Sequence, residues 1–71
     1  MNGAQFSAAL GKLRRGERMV YHNGLLMADR CYHVDADSVA RAAMNAYAAE
    51  KCLLFQRRVD QRVCQYIAVK L

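Results

Sequence analysis

Proline is absent from this 71-residue chain, and no low-complexity stretch interrupts it. Nothing marks a linker, so a single folded domain spanning 1–71 is expected, with no room for a second core. Aromatic residues are scarce at 8% although apolar residues reach 55%, and alanine supplies much of the difference. Alanine favours helix but fills little volume, so the core has to rest on Leu, Val, Ile, Met, Phe and Tyr. A chain this short buries only about 60% of the surface its unfolded form exposes, and dimerisation is a common remedy. No segment approaches the roughly 18 apolar residues of a membrane-spanning helix, and the first residues carry no apolar run behind a basic one. Three cysteines, an odd number, do not close a disulfide framework. A reduced, soluble, cytoplasmic-type protein with no membrane partner is the expectation.

Acidic side chains are also few. Six Asp and Glu stand against eleven Lys and Arg, a formal charge of +5, with a pI of about 9.5. That balance favours nucleic acid or an acidic protein surface as a partner. Catalytic patterns are missing: Gly3, Gly11, Gly16 and Gly24 are scattered and form no phosphate-cradling loop. A Cys–His nucleophile would need Cys31, Cys52 or Cys64 beside His22 or His33 and an orienting group. Asp29, Asp35 and Asp37 are accounted for by capping and turns. Structural zinc usually takes two closely spaced ligand pairs, and only Cys31 and His33 lie close together. The cysteines read better as small buried hydrophobes. No enzyme activity, metal or cofactor is expected.

Along the chain, residues 4–14 place Phe6, Leu10 and Leu13 at spacings of four and three, with Ala9 on the same side. This is one stripe of an amphipathic helix. Lys12, Arg14 and Arg15 suit its negative pole and Gly16 its stop. Residues 17–22 predict a short strand ending at Asn23-Gly24, a pair that favours tight hairpins. Residues 25–31 then show helix formers without alternation and predict about two helical turns, although a return strand over 24–31 stays open. After a turn at 32–34, Asp35 or Asp37 can cap a helix running from about Ala36 to Glu50. Successive residues about 100° apart put Val39, Ala42, Ala43, Ala46 and Tyr47 on its inner side. Ser38, Arg41, Asn45, Ala48 and Ala49 fall on the outer side.

From Cys52 the period becomes two. Leu53, Phe55, Arg57 and Val59 alternate with Leu54, Gln56 and Arg58; beyond Asp60-Gln61-Arg62, Val63, Gln65, Ile67 and Val69 alternate with Cys64, Tyr66, Ala68 and Lys70. A three-residue tip sets Val59 opposite Val63, Phe55 opposite Ile67 and Leu53 opposite Val69. The expected register turns that apolar face toward the helices. The first strand, lacking a local partner, is expected to pair with this hairpin.

The resulting order is helix-strand-helix-helix-strand-strand, an α+β arrangement with a small antiparallel sheet and a basic hairpin following a helix. It resembles winged helix-turn-helix domains, and more loosely the small winged-helix proteins of bacteriophages and prophages. The resemblance implies that the third helix enters the DNA major groove and the hairpin wing lies along the backbone. Ser38, Arg41 and Asn45 then become the base readers, since arginine pairs with guanine edges and asparagine with adenine edges. Arg57, Arg58 and Arg62 become phosphate contacts, and Arg14 and Arg15, with Lys12 and Arg18, extend the surface. Each has a plainer explanation: a solvated helix face, charged protection of an exposed strand, and a solubilising loop. Asp37 beside the readers also repels phosphate. The leading expectation is a transcriptional regulator binding double-stranded DNA by site occupancy, in the cytoplasm of a bacterial host if phage-encoded. The alternative is a phage-type module that docks on a host protein through Leu54, Tyr66 and Met44. A homodimer whose helices complete a shared core across a two-fold axis is a third possibility.

Overall fold

The structure is a computed structural model that describes residues 1–71. Its first helix, α1 (Gly3–Lys12), begins at Asn2. The Asn2 side chain accepts from the Gln5 backbone N–H, and the Gln5 side chain accepts from the Asn2 N–H. Two donors that a helix start leaves unpaired are thereby satisfied reciprocally. Phe6 and Leu10 are buried, in line with their spacing. The helix stops at Lys12, two residues before the expected Arg14, where the Leu13 N–H turns back to the Leu10 carbonyl.

Strand β1 (Arg18–Gly24) absorbs Asn23-Gly24 into its end, so no hairpin forms there. The next stretch is helical, as preferred over a return strand, but α2 (Leu26–Asp29) makes one turn instead of two. Two bonds hold it under the sheet: His22 Nε2 lies 2.7 Å from Asp29 Oδ2, and the Leu26 N–H donates to Tyr66 Oη at 3.0 Å. Gly24 permits this, because its φ of +132° suits glycine and an added Cβ would collide with the Asp29 carboxylate. The Tyr32 and His33 N–H groups both donate to the Asp29 carbonyl. The backbone is therefore already coiled when it enters α3 (Val34–Ala48), and His33 occupies the N-cap without a side-chain bond. Neither Asp35 nor Asp37 caps this helix. Both lie in its first turn, where carboxylates still meet the positive pole.

Glu50 takes a positive φ of 60°, and the chain passes through Ala49–Lys51 into β2 (Cys52–Asp60) and then β3 (Val63–Lys70). The sheet is antiparallel in the order β1-β3-β2, so the first strand does pair with the hairpin. Phe55 pairs with Ile67 and Leu53 with Val69, as the alternation predicts. The tip is tighter than expected: Asp60, not Val59, faces Val63, and the register shifts between Arg58 and Asp60.

The face assignment is inverted. Cys52, Cys64 and Ala68 are buried against the helices, whereas Leu53, Phe55, Val59 and Val63 are exposed. The physical reason lies in α3, whose buried side is Ala36, Val39, Ala40 and Ala43. Alanines fill little volume, so the space beneath them is filled from the sheet face that carries Tyr21, Leu54 and Tyr66, with Cys52, Cys64 and Ala68 among them. Tyr47, expected inside, is half exposed. Phe6, Leu10, Tyr21, Val39, Ala43, Cys52 and Ala68 make one core, with Phe6 and Tyr21 edge to face at 5.3 Å. Tyr21 points inward in phase with Met19, and the register shift between Val20 and His22 turns His22 to the same side, opposite Tyr66. No helix is long and apolar enough to cross a membrane.

Burial, helped by the neighbouring Cys52 and Tyr66, pushes the Tyr21 hydroxyl from its ordinary 10.0 up to about 12. The folded chain thus keeps this proton longer than the unfolded one. Its contribution is complete below about pH 10 and is lost as pH rises toward 12, a difference of about 3 kcal/mol. Urea unfolding across pH 9–12 should show this alkaline loss, and Tyr21→Phe should reduce it by that amount.

Candidate nucleic-acid interface

The three candidate readers on α3 line one open groove of about 1110 Å³ between α1 and α3. They are not equally free. Ser38 Oγ accepts a 2.9 Å bond from the Gly3 N–H, joining the start of α1 to α3. The approach is close enough that a Cβ at residue 3 would stand 2.8 Å from Ser38 Oγ and 2.9 Å from the Ser38 carbonyl oxygen. Ser38 therefore works as a packing and hydrogen-bonding residue, at the margin of the exposed face.

Arg41 projects outward, with a side chain 73% exposed, but its Nε lies 2.9 Å from Asp37 Oδ2. Asp37 also receives a 3.0 Å bond from Arg30 Nε through its other oxygen. One carboxylate thus serves two guanidinium groups, and the cluster keeps a net positive charge of one. Exposed ion pairs of this kind contribute roughly 0–1 kcal/mol, so Arg41 can exchange Asp37 for another anion at little cost. Asn45 lies one turn further along on the exposed side.

The same groove holds two lysines that the sequence reading did not single out, Lys51 and Lys70. Lys51 sits in the turn from α3 to β2. Lys70 Nζ donates to the Leu10 carbonyl at 3.1 Å, so its charge meets the negative end of α1. The signal was present: Lys70 falls in phase with Ala68 and Tyr66 on β3, the face that turns out to point at the helices.

The basic residues of the hairpin divide. Arg58 pairs with Cys64 and so shares the inner face, while Arg57 pairs with Gln65 on the outer one. Arg62 lies in the turn, and all three are exposed. Arg14 and Arg15 are exposed too, in the loop before β1, but they belong to the other end of the sheet. The Gly16 N–H donates to the Lys70 carbonyl, seven residues along β3 from Val63, or about 23 Å from the hairpin tip. Positive charge is thus concentrated at two ends, Arg14, Arg15, Lys51 and Lys70 at one and Arg58 and Arg62 at the other.

Leu54 and Tyr66 are half buried on the inner face and, with Met44, line an apolar cleft of about 540 Å³ beside α2. Of the cysteines, Cys31 is exposed whereas Cys52 and Cys64 are buried. Burial raises the Cys52 thiol against the opposing pull of Lys70, which keeps it neutral near pH 7. No group of three or more His, Cys, Asp or Glu side chains converges as metal ligands would.

Urea unfolding separates the two polar candidates. Ser38→Ala, which removes the acceptor for Gly3, should cost about 1 kcal/mol, whereas Asn45→Ala should stay within about 0.5 kcal/mol of the parent. Comparison of the chain with family models, with curated proteins and with solved structures finds no match.

Proposed function

We propose that the chain is a winged-helix domain that binds double-stranded DNA and regulates by occupying its site, without chemistry of its own. The observation that carries this reading is a connection. α3 feeds through three residues into the β2–β3 hairpin, and β1 pairs with β3. That topology puts an exposed helix face and a basic ribbon in succession, as a winged helix requires. The charge of +5 supports it, as does the absence of acidic residues from the hairpin apart from Asp60.

In this reading Asn45 and Arg41 read base edges. Arg58 and Arg62 lie along phosphates, where they attract without distinguishing sequence. Lys51 and Lys70 extend the backbone contact along the groove, and Ser38 positions α3 against α1. Arg57, on the opposite sheet face from Arg58, makes no contact with the same duplex surface. A second reading, docking on a protein, has one observation in its favour: the apolar cleft bordered by Met27 and Met44, both largely exposed.

The test is affinity for duplex DNA measured by fluorescence anisotropy at 50 and 200 mM salt. With about four phosphates neutralised, the fourfold increase in salt should weaken binding roughly 100-fold. Replacing Arg58 and Arg62 together with alanine should lower the slope of log affinity against log salt by about two. Absence of binding at 50 mM salt would overturn the proposal.

A further inference from the structure

The apolar residues of this chain are distributed unusually between inside and outside. Ten hydrophobic residues are buried, and six of them are alanine or cysteine: Ala36, Ala40, Ala43, Cys52, Cys64 and Ala68. Several larger side chains of the sheet stand on its other side, where no element of the chain covers them. Phe55 is 53% exposed, Val20 41% and Leu53 40%.

The strand register shows how these residues are grouped. Val20, Ile67 and Phe55 form one row across all three strands, and Arg18, Val69 and Leu53 form the next. A third row, Asn23, Gln65 and Arg57, closes the patch with polar groups. Five apolar side chains are therefore contiguous, and the only charges in these three rows are Arg18 and Arg57, at diagonally opposite corners. A monomer would leave this patch open to water.

We infer that the outer face of the sheet is the interface of a homodimer, formed by stacking two sheets face to face about a two-fold axis parallel to the strands. The pattern is self-complementary in this arrangement. β3 lies over β3, so Ile67 meets the partner's Ile67 and Val69 the partner's Val69. β1 lies over β2, so Val20 meets the partner's Phe55. The methylenes of Arg18 cover the partner's Leu53 while its charge reaches solvent. Asn23 faces the partner's Arg57. No like charges oppose each other, although each copy carries +5. An axis along the strands keeps each apolar row over its own copy, and an acidic protein partner would find only two cations on this face.

The three rows span about 13 Å along the strands by about 14 Å across them, less than a standard specific interface. The association is therefore weak and reversible. The dimer leaves the α1–α3 groove free, and its salt response is opposite to that of DNA binding. Screening the two positive copies favours assembly, whereas salt weakens phosphate contacts. Failure of one inference is thus distinguishable from failure of the other.

Sedimentation equilibrium without DNA, from 1 to 100 µM, should show a shift from 8.0 kDa toward twice that mass. The shift should be stronger at 500 than at 50 mM salt, and Phe55→Lys should remove it while the helical circular dichroism persists. If Phe55→Lys instead unfolds, cross-linking decides. In a Cys31→Ser background, Gln65→Cys should join to itself through a short bismaleimide, and Ala48→Cys on α3 should not. A strict monomer at 100 µM would overturn the inference. So would an assembly unaffected by Phe55→Lys, or cross-linking equally efficient at both positions.

Discussion

The bond from the Gly3 N–H to Ser38 Oγ and the alanine side of α3 together determine how near this helix lies to everything around it. On one side α1 comes so close that a single methyl group at residue 3 has no room. On the other, the sheet turns Cys52, Cys64 and Ala68 toward it, together with the larger Tyr21, Leu54 and Tyr66. Phe6, Leu10 and Tyr21 supply most of the large side-chain volume of the core. Val20, Leu53 and Phe55 are left for the outer surface.

The functional surfaces inherit this division. Tight α1–α3 packing commits Ser38 to structure and leaves Arg41 and Asn45 on the open side of the groove. The hydrogen bond from Lys70 to the end of α1 brings a second set of cations to that groove from the far strand. DNA binding and dimerisation, as proposed, occupy different sides of the sheet, so two copies can present two helices at once. Arg57 then belongs to the contact between copies and Arg58 to the duplex, although they are neighbours in sequence.

Much of the architecture was legible before the structure. The order of elements, the pairing of β1 with the hairpin and the register of Phe55 with Ile67 follow from periodicity, because a two-residue repeat and a spacing of three or four are strong local signals. The direction in which the hairpin faces was not legible. Alternation separates two sets of residues but does not say which set is inside, and hydrophobic size alone chose the wrong one. What decides it is how volumes combine: the alanine helix face is complemented by a sheet face that mixes Cys52, Cys64 and Ala68 with Tyr21, Leu54 and Tyr66. The caps were misplaced for a related reason. Asp35 and Asp37 are good cap residues, but the coil already built by Asp29 and His33 starts α3 before them. Ser38 was read as a surface residue because helical phase places it at the margin, and only the arrival of Gly3 shows what its hydroxyl does. Lys51 and Lys70 were overlooked because their groove is made by segments far apart in sequence.

The core depends on the close fit of Ala43, Cys52 and Ala68 among its larger side chains, and one substitution measures it. Ala68→Leu adds volume where Ala68, Ala43 and Cys52 meet. Equilibrium urea unfolding should show a lower midpoint, with a loss of about 1–3 kcal/mol, because well-packed contacts do not accept added methyl groups without moving. An unchanged or raised midpoint, as expected if leucine simply filled an empty space, would contradict it.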